Sequence, residues 1–287
     1  MSARSRQSWL PVLTLLALCA CGSEHAPPLA EKREEIKPVE KKTPTAVSFV
    51  VEDPDAKVTF TMEAPFERQD GEVPASAVTG SFDVDLSDLS KSTGLINVDI
   101  AELAIYQQSA EEAGNYGERS KSDLQNEHMR DWLEIGDDAP AEDAKKNRLI
   151  QFAIANVENP SVASLSAAGG ATQTITFTAV GEFRLHQRVA TKKAEIEATF
   201  HFEGEFPTSV DVKTVKPLKL ELAEYDVHPR KGFGKLADKT LEMMAPKVAR
   251  DADVNVQFHA AAAPTISPSA TSPSATSPST TSPSTRR

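Results

Sequence analysis

Cysteine and histidine, the side chains most often used for thiol, redox and zinc chemistry, are few and widely separated in this sequence. The chain of 287 residues has six histidines and two cysteines. Both cysteines, Cys19 and Cys21, lie near the N-terminus, so the rest of the sequence offers no thiolate for a disulfide, a redox pair or a zinc site. The patterns HExxH, GxSxG, GxxxxGK[ST] and the EF-hand loop do not occur, and no two histidines have metal-ligand spacing on one element. We therefore expect a protein that is not an enzyme, holds no metal and requires no cofactor.

The one modification that the residue types favour is acylation of a cysteine. Arginines precede an apolar run, Leu10 to Ala20, which has the length of a secretory signal and is too short to span a bilayer. The run ends in LCACG, which resembles a bacterial lipobox with Cys21 as the acylated residue. Cys19 is the weaker candidate, because bulky Leu18 would then stand at the cleavage position. A plain secretory signal that leaves a free thiol is the alternative.

An acylated Cys21 predicts where the protein resides. Each buried CH2 of an acyl chain contributes about 0.8 kcal/mol, so two or more chains anchor a folded domain stably. Gly22, rather than Asp, follows the cysteine, which is compatible with sorting to an outer membrane. We expect a lipoprotein of the cell envelope, held in the outer membrane and facing the periplasm, whose membrane partner is reached through the N-terminal anchor.

Composition divides the chain into four parts. Residues 1–21 are the signal peptide, and residues 22–44 are rich in Glu, Lys and Pro, which predicts a flexible charged stalk. Residues 45–263 form the folded domain, and residues 264–287 repeat Ser, Pro and Thr, which predicts a disordered tail. The formal net charge of -11 gives no broad attraction to phosphate backbones, so nucleic acid is not an expected partner.

Within the folded domain the hydrophobic period is two. From Ala194 to Phe202 apolar residues alternate with polar ones, which is typical of an antiparallel strand with one face in the core and one in water. The absence of alternating strands and helices favours a mainly β fold, an antiparallel sandwich or barrel. Ten candidate strands share this pattern: Val47–Val51, Val58–Met62, Phe82–Leu86, Ile96–Ile100, Ile150–Ile154, Ile175–Ala179, Ala194–Phe202, Val210–Val212, Leu218–Leu222 and Val254–Phe258.

Three local signals interrupt the strands. Ser122 followed by Gln125 forms a capping-box pattern, which predicts a helix running to about Ile135. A second helix is predicted over Lys235–Ala249, although Pro246 would kink or end it. Gly181 lies inside a long strand pattern and indicates a bulge, a bend or a close backbone approach.

Three segments together resemble the YceI-like, polyisoprenoid-binding family. They are the helix around His128 and Arg130 (DLQNEHMRDWL), the following strand LIQFAI, and GEFRLH ending at His186. Their order and approximate spacing are similar to those of the family, over roughly Val47 to His259. The turn after His186 differs, because Gln187 stands where the family has Gly and Lys193 where it has Pro.

The resemblance implies a lipocalin-like, extended antiparallel barrel of about eight to ten strands with one or two short helices. Its interior would hold a long isoprenoid, such as a polyprenyl or quinone lipid, and His128, Arg130 and His186 would lie near the cavity mouth. For any one inward residue, ordinary core packing is as good an interpretation as ligand contact. The candidate lining residues are Ile96, Val98, Ile150, Phe152, Ile175, Phe177, Phe183, Phe200 and Phe202.

We therefore expect an envelope lipoprotein that binds, carries or sequesters an isoprenoid or similar lipid in an apolar barrel cavity. The alternative is a structural or interaction lipoprotein whose barrel core is packed and whose partner is a protein. An apolar cavity would distinguish the two, since a filled barrel has none. An enzyme acting on a lipid or sugar would need converging titratable groups in a cleft. The oligomeric state is left open by the sequence.

Overall fold

The architecture is given by a computed structural model that describes residues 27–39, 43–166, 170–229 and 249–264. The predicted signal peptide with Cys21, nearly all of the predicted helix Lys235–Ala249, and the Ser/Pro/Thr tail from residue 265 lie outside the described residues.

The described residues form one antiparallel sheet with two α-helices. Helix α1 covers Asp123–Trp132 and helix α2 covers Ala141–Asn147. The strands are β1 Glu31–Lys32, β2 Ala46–Val51, β3 Lys57–Ala64, β4 Glu67–Val73, β5 Val78–Asp85, β6 Thr93–Asp99, β7 Ala104–Ser109, β8 Ser120–Lys121, β9 Leu149–Glu158, β10 Thr172–Leu185, β11 Arg188–Glu203, β12 Phe206–Thr214, β13 Leu218–Glu221 and β14 Asp251–Ala262.

Eight of these strands close into a barrel. The pairing runs β11-β10-β9-β6-β5-β2-β14, and β12 joins β14 back to β11. Strand β14 is long enough to pair with four strands. Its C-terminal half pairs with β2 and β12 inside the barrel, and its N-terminal half pairs with β3 and β13. The sheet then continues through β4, β7 and β8. The predicted mainly β, antiparallel, lipocalin-like barrel is confirmed.

The period-two pattern located the strands well. Apart from end residues, all ten candidate segments coincide with strands. Strands β4 and β7 were missed, because β4 has the sequence ERQDGEV and shows no apolar alternation. Pairing stabilises it instead: the Phe60 ring of β3 lies over Gly71, where a Cβ atom would be 2.1 Å from the ring.

Helix α1 begins where the capping-box pattern predicted, and the serine side chain of that pattern caps the helix. The Gln125 amide donates to Ser122 Oγ at 3.2 Å. The helix ends at Trp132, a few residues before the predicted Ile135, and Glu134 then adopts a left-handed φ of 52°. Helix α2 was not predicted, because its seven residues, AEDAKKN, carry almost no apolar pattern.

Gly181 is a site of close backbone approach, as predicted. The register between β9 and β10 shifts between Val180 and Gly181. A Cβ atom at Gly181 would lie 2.0 Å from the carbonyl oxygen of Ala153. A side chain here would push β9 and β10 apart, so the position requires glycine.

A buried carboxylate holds the end of β5. Asp85 is 2% exposed and accepts hydrogen bonds from the hydroxyl of Thr45 at 2.7 Å, the amide of Ser87 at 2.9 Å and the amide of Asp88 at 3.1 Å. Burial by itself would raise the pKa of Asp85, but the hydrogen bonds from neighbouring threonine and serine groups outweigh it and hold the pKa well below its usual value. The ionised carboxylate therefore ties the β5 loop to the start of β2.

We predict that Asp85→Asn lowers the free energy of unfolding by roughly 2 kcal/mol at pH 7, the scale of hydrogen bonds to a charged group. Because the folded-state pKa is depressed, this stability is present above the unfolded-state pKa near 4 and is lost as the pH falls below it. Urea unfolding of the wild type and of Asp85→Asn at pH 7 and pH 3 measures the two free energies of unfolding, and the difference between them should be smaller at pH 3. The exposed Asp55→Asn serves as control and should change stability little; an equal effect at both sites would contradict the prediction.

Part of the predicted flexible stalk is instead docked on the barrel. Residues 27–39, called the strap below, contribute β1, which pairs with β11. Ile36 is 2% exposed and packs on Ala153 and Val189, on the outer face of the barrel wall. Its amide donates to Gln151 Oε1 at 3.1 Å. Composition predicted a flexible stalk because this segment is short and polar. The prediction was wrong for residues 27–39 because the residues that hold them lie more than a hundred positions away in the sequence.

Charged groups reinforce the strap. Arg33 forms a two-pronged salt bridge with Glu182, with distances of 2.6 and 3.0 Å. The carbonyl of Arg33 accepts a hydrogen bond from Arg184 Nε at 3.1 Å. Lys146 of α2 pairs with Glu34 at 2.6 Å. The strap thus joins β10, β11 and α2 on one side of the barrel.

Candidate functional site: an apolar cavity in the barrel

The barrel is not filled by its own side chains. It contains a cavity of about 200 Å³, walled by residues from strands β3 to β6, from strands β9 to β14 and from α1. One water molecule needs only about 10–15 Å³, and a space without polar partners holds water poorly. Apart from Thr214, and from Gln151, whose side chain amide is hydrogen-bonded to Ile36 of the strap and to Asn97, the described wall residues are apolar. The site is therefore suited to an apolar molecule.

The burial pattern of β9 shows the same cavity. Phe152 points to the barrel interior yet is only half-buried, whereas its outward neighbours Gln151 and Ala153 are each 2% exposed. In a fully packed barrel the inward residue would be the more deeply buried and the outward residues the more exposed. The strap covers the outward side, while the inward side borders open space.

Six of the nine residues predicted to line a cavity do so: Ile96, Val98, Ile150, Phe152, Phe177 and Phe183. Ile175 and Phe200 instead line a smaller neighbouring cavity of about 50 Å³, which shares Phe177 with the larger one. Phe202 is 8% exposed and belongs to the surrounding core. Contact with a ligand stays a prediction for each of these residues.

Sequence reasoning missed a large part of the wall. Phe60 of β3, Leu220 of β13 and Val256 of β14 line the cavity, as do Met129 of α1 and Leu133 directly after it. The alternation in these strands was visible in the sequence, and so was the spacing of four residues between Met129 and Leu133. Their shared orientation toward one space depends on barrel closure, which the local pattern does not encode.

The three residues predicted near the cavity mouth surround the end of α1. His128 is exposed and Arg130 is half-buried, and they flank Met129, which lines the cavity. His186 follows Leu185, another wall residue, and is 6% exposed with a left-handed φ of 49°. His186 contacts Glu134, two residues after the end of α1. That these three residues form a cavity mouth, and that they act in ligand entry, stays a prediction.

His186 is held on both sides of its ring. Its Nδ1 lies 3.2 Å from the carbonyl oxygen of Tyr225, and its Nε2 lies 3.1 Å from Glu134 Oε2. These contacts tie the β10–β11 turn to the segment after α1 and to the short 3-10 helix Leu222–Tyr225. The turn is thereby fixed next to the cavity wall.

Among the residues that the structure describes, the cavity wall contains no ionisable side chain. Over the same residues, no group of three or more His, Cys, Asp or Glu side chains is placed to hold a metal ion. Within these limits, no helix is long and apolar enough to cross a bilayer.

The fold and the cavity define an antiparallel β-barrel with an apolar interior site. No protein-family model and no curated protein matches the sequence. Among solved structures, the chain is similar to a polyisoprenoid binding domain from Saccharophagus degradans implicated in plant cell wall breakdown. The two share 12% identity with a TM-score of 0.42, over 76% of this chain and 99% of that chain.

Proposed function

We propose that this protein binds a long isoprenoid, or a lipid of similar shape, inside its barrel and carries or sequesters it in the cell envelope. The observation that carries the proposal is the apolar cavity, whose described wall residues include none that is titratable. Each CH2 group removed from water contributes about 0.8 kcal/mol, so a chain of many such groups binds well without specific polar contacts. Selectivity then comes mainly from the length and shape of the cavity.

The same wall supports a non-enzymatic role. General acid–base catalysis needs a titratable side chain within hydrogen-bond reach of the reacting group. The cavity offers aliphatic and aromatic surface instead. Binding by burial, with no bond made or broken, is the activity that this surface serves best. A packed barrel with a protein partner is less well supported, since packing would leave no such space.

Organic extraction and mass spectrometry of the purified full chain test the binding proposal. The protein is expressed in a lipid-containing host and washed without detergent. We expect about one prenyl or quinone lipid per chain. A well-folded protein that is free of lipid, and that also fails to take up added prenyl lipids, would overturn the proposal in favour of the protein-interaction alternative.

We further propose that Cys21 anchors the barrel close to a membrane, in the outer membrane on the periplasmic side. The LCACG sequence supports acylation, and the strap begins only six residues after Cys21. Strand β1 of the strap pairs with β11 from Glu31, ten residues after Cys21, and ten extended residues span at most about 36 Å at 3.3–3.6 Å each. Such a tether holds the barrel within reach of lipids at the bilayer surface.

Metabolic labelling with radioactive palmitate in a bacterial host tests the anchor. We predict that Cys21→Ser abolishes incorporation of the label and releases the protein from the membrane fraction, because the acylated sulfur is lost. The matched variant Cys19→Ser should keep the label. Loss of label in Cys19→Ser alone would place the modification at Cys19, and an unlabelled wild type would contradict the anchor.

A further inference from the structure

The barrel wall contains a place where two strands lie close together without pairing. Strand β13 pairs with β14 and, within the described residues, with no other strand. It also lies near β11, whose residues 190–194 pair with β10 alone among the described strands. A backbone hydrogen bond from the Val215 amide to the Glu195 carbonyl, at 2.8 Å, closes one end of the gap. This gap between β11 and β13 is called the seam below.

The seam borders the apolar cavity from both sides. Ala194 of β11 lines the cavity, and so do Leu218 and Leu220 of β13. Where neighbouring strands of the barrel pair, a row of backbone hydrogen bonds must break before the wall can open. At the seam, among the described residues, it is mainly side-chain contacts that must separate. The wall therefore opens here at a lower cost in free energy than between paired strands.

Two ion pairs close the other end of the seam. Lys192 and Arg188 lie in the same row of β11 as Ala194, the row that faces the barrel interior. Lys192 Nζ donates to Glu224 Oε2 at 2.5 Å, and Arg188 lies 3.6 Å from a carboxylate oxygen of Asp226. Both acids follow the end of β13 by a few residues. These two ion pairs, called the latch below, join β11 to the segment after β13 through side chains instead of backbone pairing.

The strap reaches the barrel at the same seam. The amide of Ala30 donates to the Glu224 carbonyl at 2.9 Å, and the Ala30 carbonyl accepts a hydrogen bond from Arg188 at 3.2 Å. Leu29, the next residue toward the N-terminus, is 54% exposed, and Val215, at the opposite end of the seam, is 50% exposed. The proposed lipid anchor therefore holds this side of the barrel toward the bilayer, with an exposed apolar side chain at each end of the seam to contact it.

We propose that the seam faces the bilayer and is the opening through which an isoprenoid passes between the membrane and the cavity. This inference rests on the proposed lipid-binding function. The latch opens, and the apolar chain moves between the edges of β11 and β13 into the space lined by Ala194 and Leu220. The chain then exchanges one apolar environment for another without crossing water, which would be unfavourable for it. The latch closes again behind the bound lipid.

Release of a bound isoprenoid to membranes tests the proposal. The full chain is loaded with tritiated geranylgeraniol and mixed with an excess of phosphatidylcholine vesicles, and the label that moves to the vesicles is followed with time. We expect Lys192→Met to speed release about tenfold, because opening the seam no longer breaks a hydrogen bond between charged groups. The equilibrium affinity for geranylgeraniol should change little, since Lys192 is not a wall residue of the cavity.

Lys193→Met is the matched control. Lys193 is the next residue of β11, on the opposite face of the strand, and pairs with Glu158 at 2.7 Å in an exposed salt bridge. Its replacement should leave the release rate unchanged. Glu224→Gln weakens the latch from the other side and should also speed release, which provides a second test if Lys192→Met does not fold.

The outcomes separate the seam from the function on which it rests. A wild type that takes up no geranylgeraniol defeats the lipid-binding function and the inference with it. A wild type that binds it, with folded Lys192→Met and Glu224→Gln releasing it at the wild-type rate, overturns the inference alone. Faster release by Glu134→Gln only, a change that weakens the contact with His186 after the end of α1, also overturns it, because the lipid would then pass beside α1.

Discussion

Replacement of Ala179 by phenylalanine is expected to abolish lipid binding while leaving the barrel folded. Ala179 of β10 is paired directly with Ala194 of β11, and both small side chains lie in the cavity wall. A phenyl ring at this position would occupy space otherwise open to about five CH2 groups of a ligand. At about 0.8 kcal/mol per group the loss is roughly 4 kcal/mol, or about a thousandfold in the dissociation constant.

Thr178→Phe is the matched control for this prediction. Thr178 is the preceding residue on the same strand, so period-two alternation places its side chain on the opposite face of the sheet. The same ring added there should leave lipid affinity within a few-fold. Titration of both variants with a prenylated quinone, together with melting curves, separates blocking of the cavity from unfolding. If Ala179→Phe unfolds, Ala194→Phe fills the same space; unchanged binding by a folded variant would show that the ligand lies elsewhere.

Arg184→Met is expected to cause the largest loss of stability among single changes on the outer side of the wall. Arg184 is 0% exposed. Its guanidinium donates to the carbonyl oxygens of Arg33 and Lys146, each at 3.1 Å, and to that of Leu149. One side chain thus joins the strap, α2 and β9. Burial lowers the pKa of Arg184, but the ordinary value is so high that the group keeps its charge at neutral pH.

Methionine has similar length but no donor, so the three carbonyl groups would lose their shared partner. We expect the free energy of unfolding to fall by roughly 3 kcal/mol. Hydrogen exchange at the amides of Arg33 and Ile36 should accelerate, because both are held in the docked strap. Urea unfolding and exchange mass spectrometry measure the two effects.

Arg148→Met provides the control for Arg184. The Arg148 side chain is 44% exposed and lies 3.3 Å from Asp99, in a salt bridge at the surface. Such pairs contribute about 0–1 kcal/mol, so its loss should cost no more than that and should leave strap exchange unchanged. Equal effects of the two substitutions would show that Arg184 does not tie the three segments together.

Local pattern was a sound guide wherever one face of an element is buried. In β11 a slip of one residue would bury Glu195 and Glu197 in place of Ala194 and Ile196, so the sequence allows only one orientation. The N-cap of α1 at Ser122 could also be predicted, because its hydrogen bond joins Ser122 to Gln125, only three residues along the chain. Strand β4 could not be predicted from the sequence pattern, because it is stabilised by its pairing with β3 and β7.

The candidate site was predictable only in part. Alternation identified Phe152 and Phe183 as inward residues, and both line the cavity. The same alternation identified Phe200, which lines the smaller cavity instead, and Phe202, which is packed in the core. A period of two specifies which face a residue is on but not how much space remains on that face, because the space is set by side chains from strands far apart in sequence.

The sequence by itself thus determined the strands, their inward faces, the start of α1 and the need for glycine at position 181, all of which depend on near neighbours or on backbone sterics. Only the tertiary structure decided that the barrel encloses a cavity and that the strap is docked. The physical reason is distance along the chain. Arg33 meets Glu182 across 149 residues, and no local pattern can encode whether such a pair forms.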